Sequence, residues 1–292
     1  MGANMIELRN YREQDYNAVC NFLIALNHEK KQHINWNWAR FEWMYEHPEF
    51  DKNSKEVIGL WWDDHKVVGA AIYDMYFGEG FCGVLDGYER LYPEVLNYAY
   101  EKLKDDSGIG IAICDESIDE ICIAKENGFF KAEQEETIMK LSLEKELEYE
   151  LSRDIHLESF DPTENAYQFQ WLLWQGFDHG TNKEEFEQKE EIIMQKRPHL
   201  DKDLSVVAVN EQGENVAYCC LWYDNSTDYA YVEPVCTIPS YRGKGIGKAV
   251  VFEALNRARK MGARNAYVIS NQEFYEKLGF KKELHFTFYW KK

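Results

Sequence analysis

The stretch that decides the fold is Val232–Lys248, which reads V-E-P-V-C-T-I-P-S-Y-R-G-K-G-I-G-K. It runs from an apolar strand through a glycine-rich bend into a helix. In the bend, glycines alternate with cations: Gly243, Gly245 and Gly247 with Arg242, Lys244 and Lys248. Glycines let backbone N–H groups approach an anion without obstruction by Cβ, and a helix start adds the positive end of its dipole. The stretch therefore predicts a site for a ligand that carries a di- or polyphosphate.

The spacing of these glycines excludes two other kinds of phosphate loop. The dinucleotide fingerprint G-x-G-x-x-G fails because Lys248 or Val250 stands where the third glycine belongs. A Walker loop fails because Gly247-Lys248 is followed by Ala249, which cannot ligate magnesium. What remains is R-x-x-G-x-G, preceded by a strand and followed by an amphipathic helix.

This hexapeptide resembles the pyrophosphate loop of the GNAT superfamily of acyl-CoA N-acyltransferases, (Gln/Arg)-x-x-G-x-(Gly/Ala). A second element lies at the distance that family expects, Asn271 followed by F-Y-E-K-L-G-F at 274–280. The resemblance implies acetyl-CoA as cofactor and a sheet whose fourth and fifth strands part, so that the pantetheine arm reaches a free strand edge. The cofactor-binding residues that it implies are Val235, Cys236, Thr237, Arg242, Gly243, Lys244, Gly245, Ile246, Gly247, Lys248 and Asn271. Asn271 is equally suited to capping the helix that follows it.

The chain also repeats itself, which bears on its domain organisation. At 292 residues it is long for one such unit, and an offset of 150 residues pairs Val57 with Val207 and Tyr73-Asp74 with Tyr223-Asp224. We predict an α/β fold of mixed-sheet type, with two tandem GNAT-like domains at 1–145 and 146–292, each a central mixed sheet flanked by helices. The arrangement resembles that of mycothiol synthase-like tandem proteins. The charged segment 143–154 is the predicted linker.

Patterning along the second half predicts the elements that surround the loop. Apolar runs bounded by turn residues indicate strands, and an aromatic-rich segment before them indicates a helix. The predicted helix is Glu164–Phe177, and the predicted strands are Leu204–Asn210, Asn215–Tyr223, Ala230–Cys236, Asn265–Ile269 and His285–Trp290.

The two halves differ where the chemistry is expected. In place of the glycine loop, the first half has L-D-G-Y-E-R-L-Y-P at 85–93, with one glycine and two carboxylates that would repel pyrophosphate. Its counterpart of the tyrosine motif, at 123–129, lacks the tyrosine. We therefore predict that the first domain has no cofactor site.

Acyl transfer from a thioester to an amine needs a base, a donor to the carbonyl oxygen and an acid for the thiolate. Glu233 is the candidate base, the backbone N–H near Val235 the candidate donor, and Tyr275 the candidate acid, on the family's tyrosine position. Tyr275 is also compatible with a purely structural role as a core aromatic. Since side chains alternate along a strand, Tyr231 shares the face of Glu233, and either or neither faces the acceptor.

For the amine acceptor, the candidate residues are Trp171, Trp174, Asp178 and His179, whose rings and charge suit a cationic or aromatic amine. The spacing of the two tryptophans equally fits burial of one helix stripe. The acceptor class is a primary amine on a small molecule, a peptide or a protein N-terminus.

Composition narrows partners and compartment. The net charge of −19 makes nucleic acid and anionic membranes poor partners and favours a cationic acceptor, although solubility alone also explains it. No apolar run approaches the roughly 18 residues of a membrane span, and the N-terminus lacks a signal-peptide core, so we expect a cytoplasmic protein. Seven cysteines without paired C-x-x-C spacing argue against disulfides and a zinc cluster. No metal site is predicted, and Cys236 reads as a small buried residue.

Two function classes follow from the sequence. The preferred one is an acetyl-CoA-dependent N-acetyltransferase acting by direct attack in a ternary complex. The alternatives are a CoA-binding sensor or interaction protein without turnover, and a transferase of longer acyl groups. The oligomeric state stays open.

Overall fold

The computed structural model describes residues 6–45, 47, 50, 52–189 and 199–292. The strands are β1 Glu7–Asn10, β2 Gly59–Asp63, β3 Lys66–Asp74, β4 Tyr76–Val84, β5 Ile109–Cys114, β6 Phe130–Ser142, β7 Ile155–Ser159, β8 Ser205–Asn210, β9 Asn215–Tyr223, β10 Tyr229–Thr237, β11 Asn265–Ile269 and β12 Lys281–Lys291. The α-helices are α1 Tyr16–Leu26, α2 Trp38–Tyr45, α3 Tyr92–Lys102, α4 Ile118–Glu126, α5 Ala166–Gly176, α6 Lys183–Lys189, α7 Ile246–Met261 and α8 Glu273–Lys277. None of the helices in these ranges has both the length and the apolar composition required to cross a bilayer.

These elements form two compact units that are not continuous in sequence. The first comprises Met1–Met139, Ile269–Gln272 and Lys282–Lys292, and the second Lys140–Val268 and Glu273–Lys281. Both contain sheet strands and helices, so the predicted α/β class with mixed sheets is confirmed. The predicted domain boundary at residue 145 does not coincide with the division between the compact units, because the first unit also includes segments from the second half of the chain. The boundary stays a prediction.

The sheet of the first unit runs in the order β1-β2-β3-β4-β5-β12-β6. Neighbours from β1 to β4 are antiparallel, β4 and β5 are parallel, and β12 runs antiparallel to β5. The last strand of the chain is thus part of the first unit. Asp115, which follows β5, holds it there: one carboxylate oxygen accepts from Thr287 Oγ1 at 2.7 Å and the other lies 2.8 Å from His285 Nδ1.

The core of the first unit is aromatic. Trp38, Trp61, Tyr73, Phe41 and Tyr92 are all nearly or fully buried. Rings of this size bury large apolar areas, and apolar burial is the main favourable contribution to folding. Trp38 and Trp61 therefore serve the packing of this unit.

The sheet of the second unit runs β11-β10-β9-β8-β7, with β10 and β11 parallel and the other pairs antiparallel. Helix α7 packs against β8, β9 and β10, and α5 against β9 and β10. The predicted strands Asn215–Tyr223 and Asn265–Ile269 match β9 and β11 residue for residue. The predicted helix Glu164–Phe177 is α5, shorter by two residues at the start and one at the end.

Helix α7 follows directly from its sequence. Its buried residues include Val251, Ala254, Leu255 and Ala258 at helical spacing, and Gly262 ends it with φ of 121°. Met261, which the pattern assigns to the same apolar face, is instead 46% exposed, since it is the last residue of the helix.

Candidate functional site

The central feature of the second unit is a gap between β10 and β11. Their parallel pairing covers Tyr229, Ala230 and Tyr231 and ends there, although β10 continues to Thr237. On its other side β10 stays paired to β9, with a bulge between Val232 and Val235 that adds one residue to β10. A bulge bends the strand that carries it and increases its local twist. The second half of β10 therefore presents a strand edge that β11 does not cover.

The groups on this free edge can be identified from the hydrogen bonds on the other edge. Ile238 donates its backbone N–H to the carbonyl of Val216 in β9, at 3.0 Å. Because successive residues of a strand direct their backbone groups to opposite edges, those of Val235 and Thr237 face away from β9. Val235 and Thr237 are both among the cofactor-binding residues that the family resemblance implies, and their backbone groups are the ones expected to meet the pantetheine arm.

The glycine loop lies immediately beyond this edge. Gly243 and Gly245 have φ values of 74° and 79°, a left-handed conformation that only glycine adopts without strain. A Cβ on either would meet no atom within 4 Å, so the space above the loop is open. Gly245 is the N-cap of α7, and the first N–H groups of a helix have no partner within it. The loop thus provides an open, donor-rich concavity for an anion.

The other loop residues fix this concavity or charge it. Ile246 is buried beneath the first turn of α7, and a Cβ on Gly247 would lie 3.0 Å from Thr237 Oγ1. Lys244 and Lys248 are exposed, with each Nζ over a ring, at 4.6 Å from the centroid of Tyr241 and 5.0 Å from that of Phe252. Within the described ranges neither lysine is paired with a carboxylate. Both charges are therefore available to a phosphate.

The Arg242 side chain donates hydrogen bonds to three acceptors in the second unit. Its Nε donates to the carbonyl of Thr237 at 2.9 Å, Nη2 to that of Gly176 at 2.8 Å, and Nη1 to Asp178 at 3.0 Å. Among the described residues this engages three of the five guanidinium N–H donors and leaves two. Arg242 thus ties the end of α5 to the end of β10, and direct cofactor binding by its side chain stays a prediction.

Cys236 is directed away from the gap between β10 and β11. Its backbone pairs with β9, and its Sγ lies 3.9 Å from the carbonyl of Leu172 in α5. Burial raises the pKa of this thiol to about 12, so it is uncharged at neutral pH. Gly176 is needed beside it, since a Cβ there would lie 2.7 Å from the sulfur. Cys236 packs the wall of the site, as the sequence indicated, and a cofactor contact from it stays a prediction.

Glu233 lies in the bulge of β10. Tyr231, which is buried, donates its hydroxyl to Glu233 Oε2 at 3.0 Å, and Trp222 Nε1 donates to the Glu233 carbonyl at 2.7 Å. The shared face of Tyr231 and Glu233 was expected from strand alternation. The carboxylate is half-buried and held in place by a phenol.

Tyr275 of α8 is buried among aromatic rings, with the ring centroid of Phe280 at 5.5 Å and that of Phe274 at 5.1 Å. Burial, and after it the nearby Cys219 thiol and Glu233 carboxylate, raise the pKa of its hydroxyl well above the ordinary value. The hydroxyl makes no hydrogen bond within the described part of the chain. Tyr275 thus retains its proton at neutral pH and lies within electrostatic reach of Glu233.

The four predicted acceptor residues separate into two pairs. Trp171 and Trp174 pack on Phe186 of α6, with ring centroids 5.1 and 5.7 Å from it. Asp178 and His179 are exposed, the first paired with Arg242 and the second with its ring 5.2 Å from Trp174. A packing role is thus visible for both tryptophans, and a substrate role for any of the four stays a prediction. Asn271 is exposed and falls in the segment grouped with the first unit, and its cofactor role also stays a prediction.

In the first unit, a backbone N–H of the corresponding loop already donates to a carboxylate of the same loop. Gly87 has φ of 88° and donates its N–H to Glu89 Oε1 at 2.8 Å. Asp86 lies 3.2 Å from Lys30 Nζ. A carboxylate therefore stands where the second unit has open N–H donors.

Sequence reasoning missed the residues that run beside the glycine loop, in the segment 146–150. Leu147 exchanges two hydrogen bonds with the Asn256 side chain, both 2.9 Å, and Tyr149 donates to Glu253 Oε2 at 2.7 Å. Half-buried Leu147 and Tyr149 alternate here with exposed glutamates. This alternation of half-buried and exposed residues was the sequence signal that the segment packs on one side. The run of glutamates made the segment resemble a charged linker instead.

Comparison with known proteins agrees with this geometry. Residues 163–280 match the acetyltransferase (GNAT) family. The chain is 30% identical over 112 residues to the uncharacterized N-acetyltransferase CgeE of Bacillus subtilis, covering 35% of this chain and 43% of that protein. It is 39% identical over 54 residues to the glucosamine 6-phosphate N-acetyltransferase of Trypanosoma brucei brucei, covering 18% and 37%. The chain thus spans less than half the length of both curated relatives.

A solved structure matches almost the whole chain. The tandem GNAT protein from the clavulanic acid biosynthesis pathway superimposes with a TM-score of 0.60 at 12% identity, over 98% of each chain. The fold and site define a mixed-sheet α/β protein whose parted strands adjoin a glycine loop at a helix start. Residues 163–280 thus form a GNAT family domain, as the loop motif predicted, and the chain as a whole has the fold of a tandem GNAT protein, as the repeat predicted.

Proposed function

We propose that this protein is an acetyl-CoA-dependent N-acetyltransferase whose chemistry takes place in the second unit. The observation that carries the proposal is the parting of β10 from β11 directly beside the glycine loop. This places an uncovered strand edge next to an open cradle of backbone donors. A thioester with a long amide-containing arm and a pyrophosphate has complementary groups for both.

The residues present fit such a cosubstrate. The open space above Gly243 and Gly245 accommodates phosphate oxygens, and the positive charges of Lys244 and Lys248 offset their charge. The backbone groups of Val235 and Thr237 are available to amides, although the Thr237 carbonyl already accepts from Arg242. Val235 is then the main edge contact.

In the proposed reaction the amine nitrogen attacks the thioester carbonyl carbon, a C–N bond forms and the C–S bond breaks. Glu233 accepts the proton that the amine loses, directly or through water, and its carboxylate attracts a cationic acceptor. The Val235 N–H donates to the carbonyl oxygen. Tyr275 donates its proton to the departing thiolate, and the raised pKa keeps that proton in place until then.

We further propose that the first unit does not bind acetyl-CoA. Glu89 already accepts from the N–H of Gly87, and Asp86 adds a second carboxylate beside it. A phosphate there would have to displace one negative charge and approach another. The expected stoichiometry is therefore one acetyl-CoA per chain.

The first test is calorimetric titration with acetyl-CoA, because it does not require the unknown acceptor. One site per chain supports the proposal, and no binding or two equivalent sites contradicts it. Thiol release over a panel of primary amines, on small molecules and peptides, then tests turnover. Tight binding without thiol release from any amine would favour a CoA-binding sensor, and turnover only with longer thioesters would favour a different acyl donor.

A further inference from the structure

A cavity of about 830 Å³ adjoins the glycine loop in the second unit. One wall is the segment 146–150, and the other includes Lys244, Gly245 and Lys248. Its size lies within the range of roughly 300–1,000 Å³ that is usual for small-molecule sites. The sequence predicted the loop side of this cavity through Lys244, Gly245 and Lys248, but not its outer wall, which lies outside the region that carries the loop motif.

The outer wall is fixed to α7 by side-chain hydrogen bonds. The Asn256 amide is buried, accepts from the Leu147 N–H and donates to the Leu147 carbonyl, as a neighbouring strand would. Tyr149 donates to Glu253, which also accepts from Arg257 Nε at 2.8 Å. Because Leu147 and Tyr149, two residues apart, are both held in place, the wall presents a defined surface. Preorganisation of this kind favours binding.

The chemistry of the two walls differs. The loop side carries backbone donors and two ammonium groups, which suit phosphate. The wall at 146–150 carries three exposed glutamates, which oppose phosphate but accept hydrogen bonds from an amino group, as carboxylates do from the amino group of a nucleobase. Tyr149 is the aromatic residue of the lining, and its ring has no aromatic neighbour within the described part of the chain.

We propose that Tyr149 is the stacking platform for the adenine base of the acyl-CoA, with the glutamates of 146–150 accepting from its amino group. The inference rests on the proposed function and extends it, because it assigns the nucleoside end of the ligand to a segment outside the matched family domain at 163–280. The base itself is uncharged at neutral pH, so it tolerates the acidic wall, whereas the 3′-phosphate of the same nucleoside has to lie on the lysine side of the cavity. The segment between the two sequence repeats then acts as part of the binding site.

The test compares two ligands on purified full-length protein by calorimetry. Acetyl-CoA carries the base, and acetyl-4′-phosphopantetheine has the same arm and thioester but a single phosphate and no 3′-phosphoadenosine, so each ligand is compared between wild type and variant. Tyr149→Ala should weaken acetyl-CoA binding roughly 5- to 150-fold, the range for loss of one stacked base, and leave acetyl-4′-phosphopantetheine binding unchanged. Tyr149→Phe, which keeps the ring, should restore the preference for acetyl-CoA. Tyr76→Ala, at a 56% exposed tyrosine of the first unit, controls for loss of a tyrosine ring.

Three outcomes would overturn the inference. Unchanged acetyl-CoA affinity in Tyr149→Ala would show that the ring does not contact the ligand. An equal loss for both ligands would show that the segment supports the loop instead of the base. If the wild-type protein binds neither ligand, both the proposed function and this inference fail. That result can be distinguished from the other two because it appears without any mutation. Thermal melting of each variant establishes that it is folded.

Discussion

The sharpest prediction compares two glycines that share one conformation and differ in location. Gly245 has φ of 79° and Gly213, in the turn between β8 and β9, has φ of 78°. A Cβ on either would meet nothing within 4 Å. Gly245→Ala and Gly213→Ala should therefore have the same effect on stability and different effects on acetyl-CoA binding.

The magnitude follows from the backbone alone. The left-handed conformation costs an alanine about 1–2 kcal/mol. Lower entropy of the unfolded chain offsets about 0.4–1 kcal/mol of that. The net loss of unfolding free energy is therefore about 1 kcal/mol in each variant, or a decrease in Tm of roughly 2–4 °C for a chain of this size class.

Binding should separate the two variants. In Gly245→Ala the new methyl group occupies the open space over the helix start, where the phosphate is expected. Loss of one hydrogen bond to a charged group corresponds to about 1.5–3 kcal/mol, or roughly 10- to 150-fold in Kd. Calorimetry should show this loss in Gly245→Ala and wild-type affinity in Gly213→Ala. Equal affinity in both variants, with equal melting shifts, would refute the loop as the phosphate site.

Three further predictions concern single side chains. Tyr275→Phe should lower kcat by about 10²- to 10⁴-fold with little change in calorimetric Kd, and an unchanged kcat would remove Tyr275 as the acid. In the folded protein a thiol reagent should label exposed Cys122 and spare Cys236, which is buried and whose pKa is raised to about 12. Mass spectrometry that shows early modification of Cys236 would contradict its packing role. Burial alone would lower the pKa of His33, but Glu120, at 3.1 Å from it, outweighs burial and raises this pKa above 6.5. The ion pair should therefore stabilise the folded state fully below pH 6.5. This stabilisation should be lost as the pH rises through the pKa of His33 in the folded protein. Urea unfolding of wild type and His33→Gln across this range should show their difference shrinking, and a constant difference would argue against the ion pair.

Much of the site was predictable because its residues are consecutive. Alternating glycines and cations between an apolar strand and an amphipathic pattern specify a strand, a loop and a helix from local preferences alone. Strand β11 matched its prediction because Asn265–Ile269 is a short apolar run bounded by turn residues. The left-handed conformations of Gly243 and Gly245 are ones that glycine adopts without strain.

The remaining features depend on partners distant in sequence. Nothing in R-x-x-G-x-G indicates that Arg242 binds the carbonyl of Gly176, because that contact requires α5 to end beside β10. The bulge between Val232 and Val235 depends on how β10 pairs with β9, and the sequence of β10 alone does not specify that register. Likewise the glutamates of 146–150 resembled a solvated linker, because the residue that fixes the segment, Asn256, lies in a helix more than 100 residues away.

The position of β12 has a consequence for synthesis. The first unit contains β1 to β5, yet its sheet also includes β12, which lies between β5 and β6. A nascent chain can therefore complete this unit only after the residues of β12 have left the ribosome. Until then β5 exposes the edge to which β12 later binds, from Ile109 to Cys114, and any stop codon before residue 282 leaves that edge open. Deletion of residues 282–292 should therefore cause aggregation or proteolysis of the first unit, although its other strands come much earlier in the sequence.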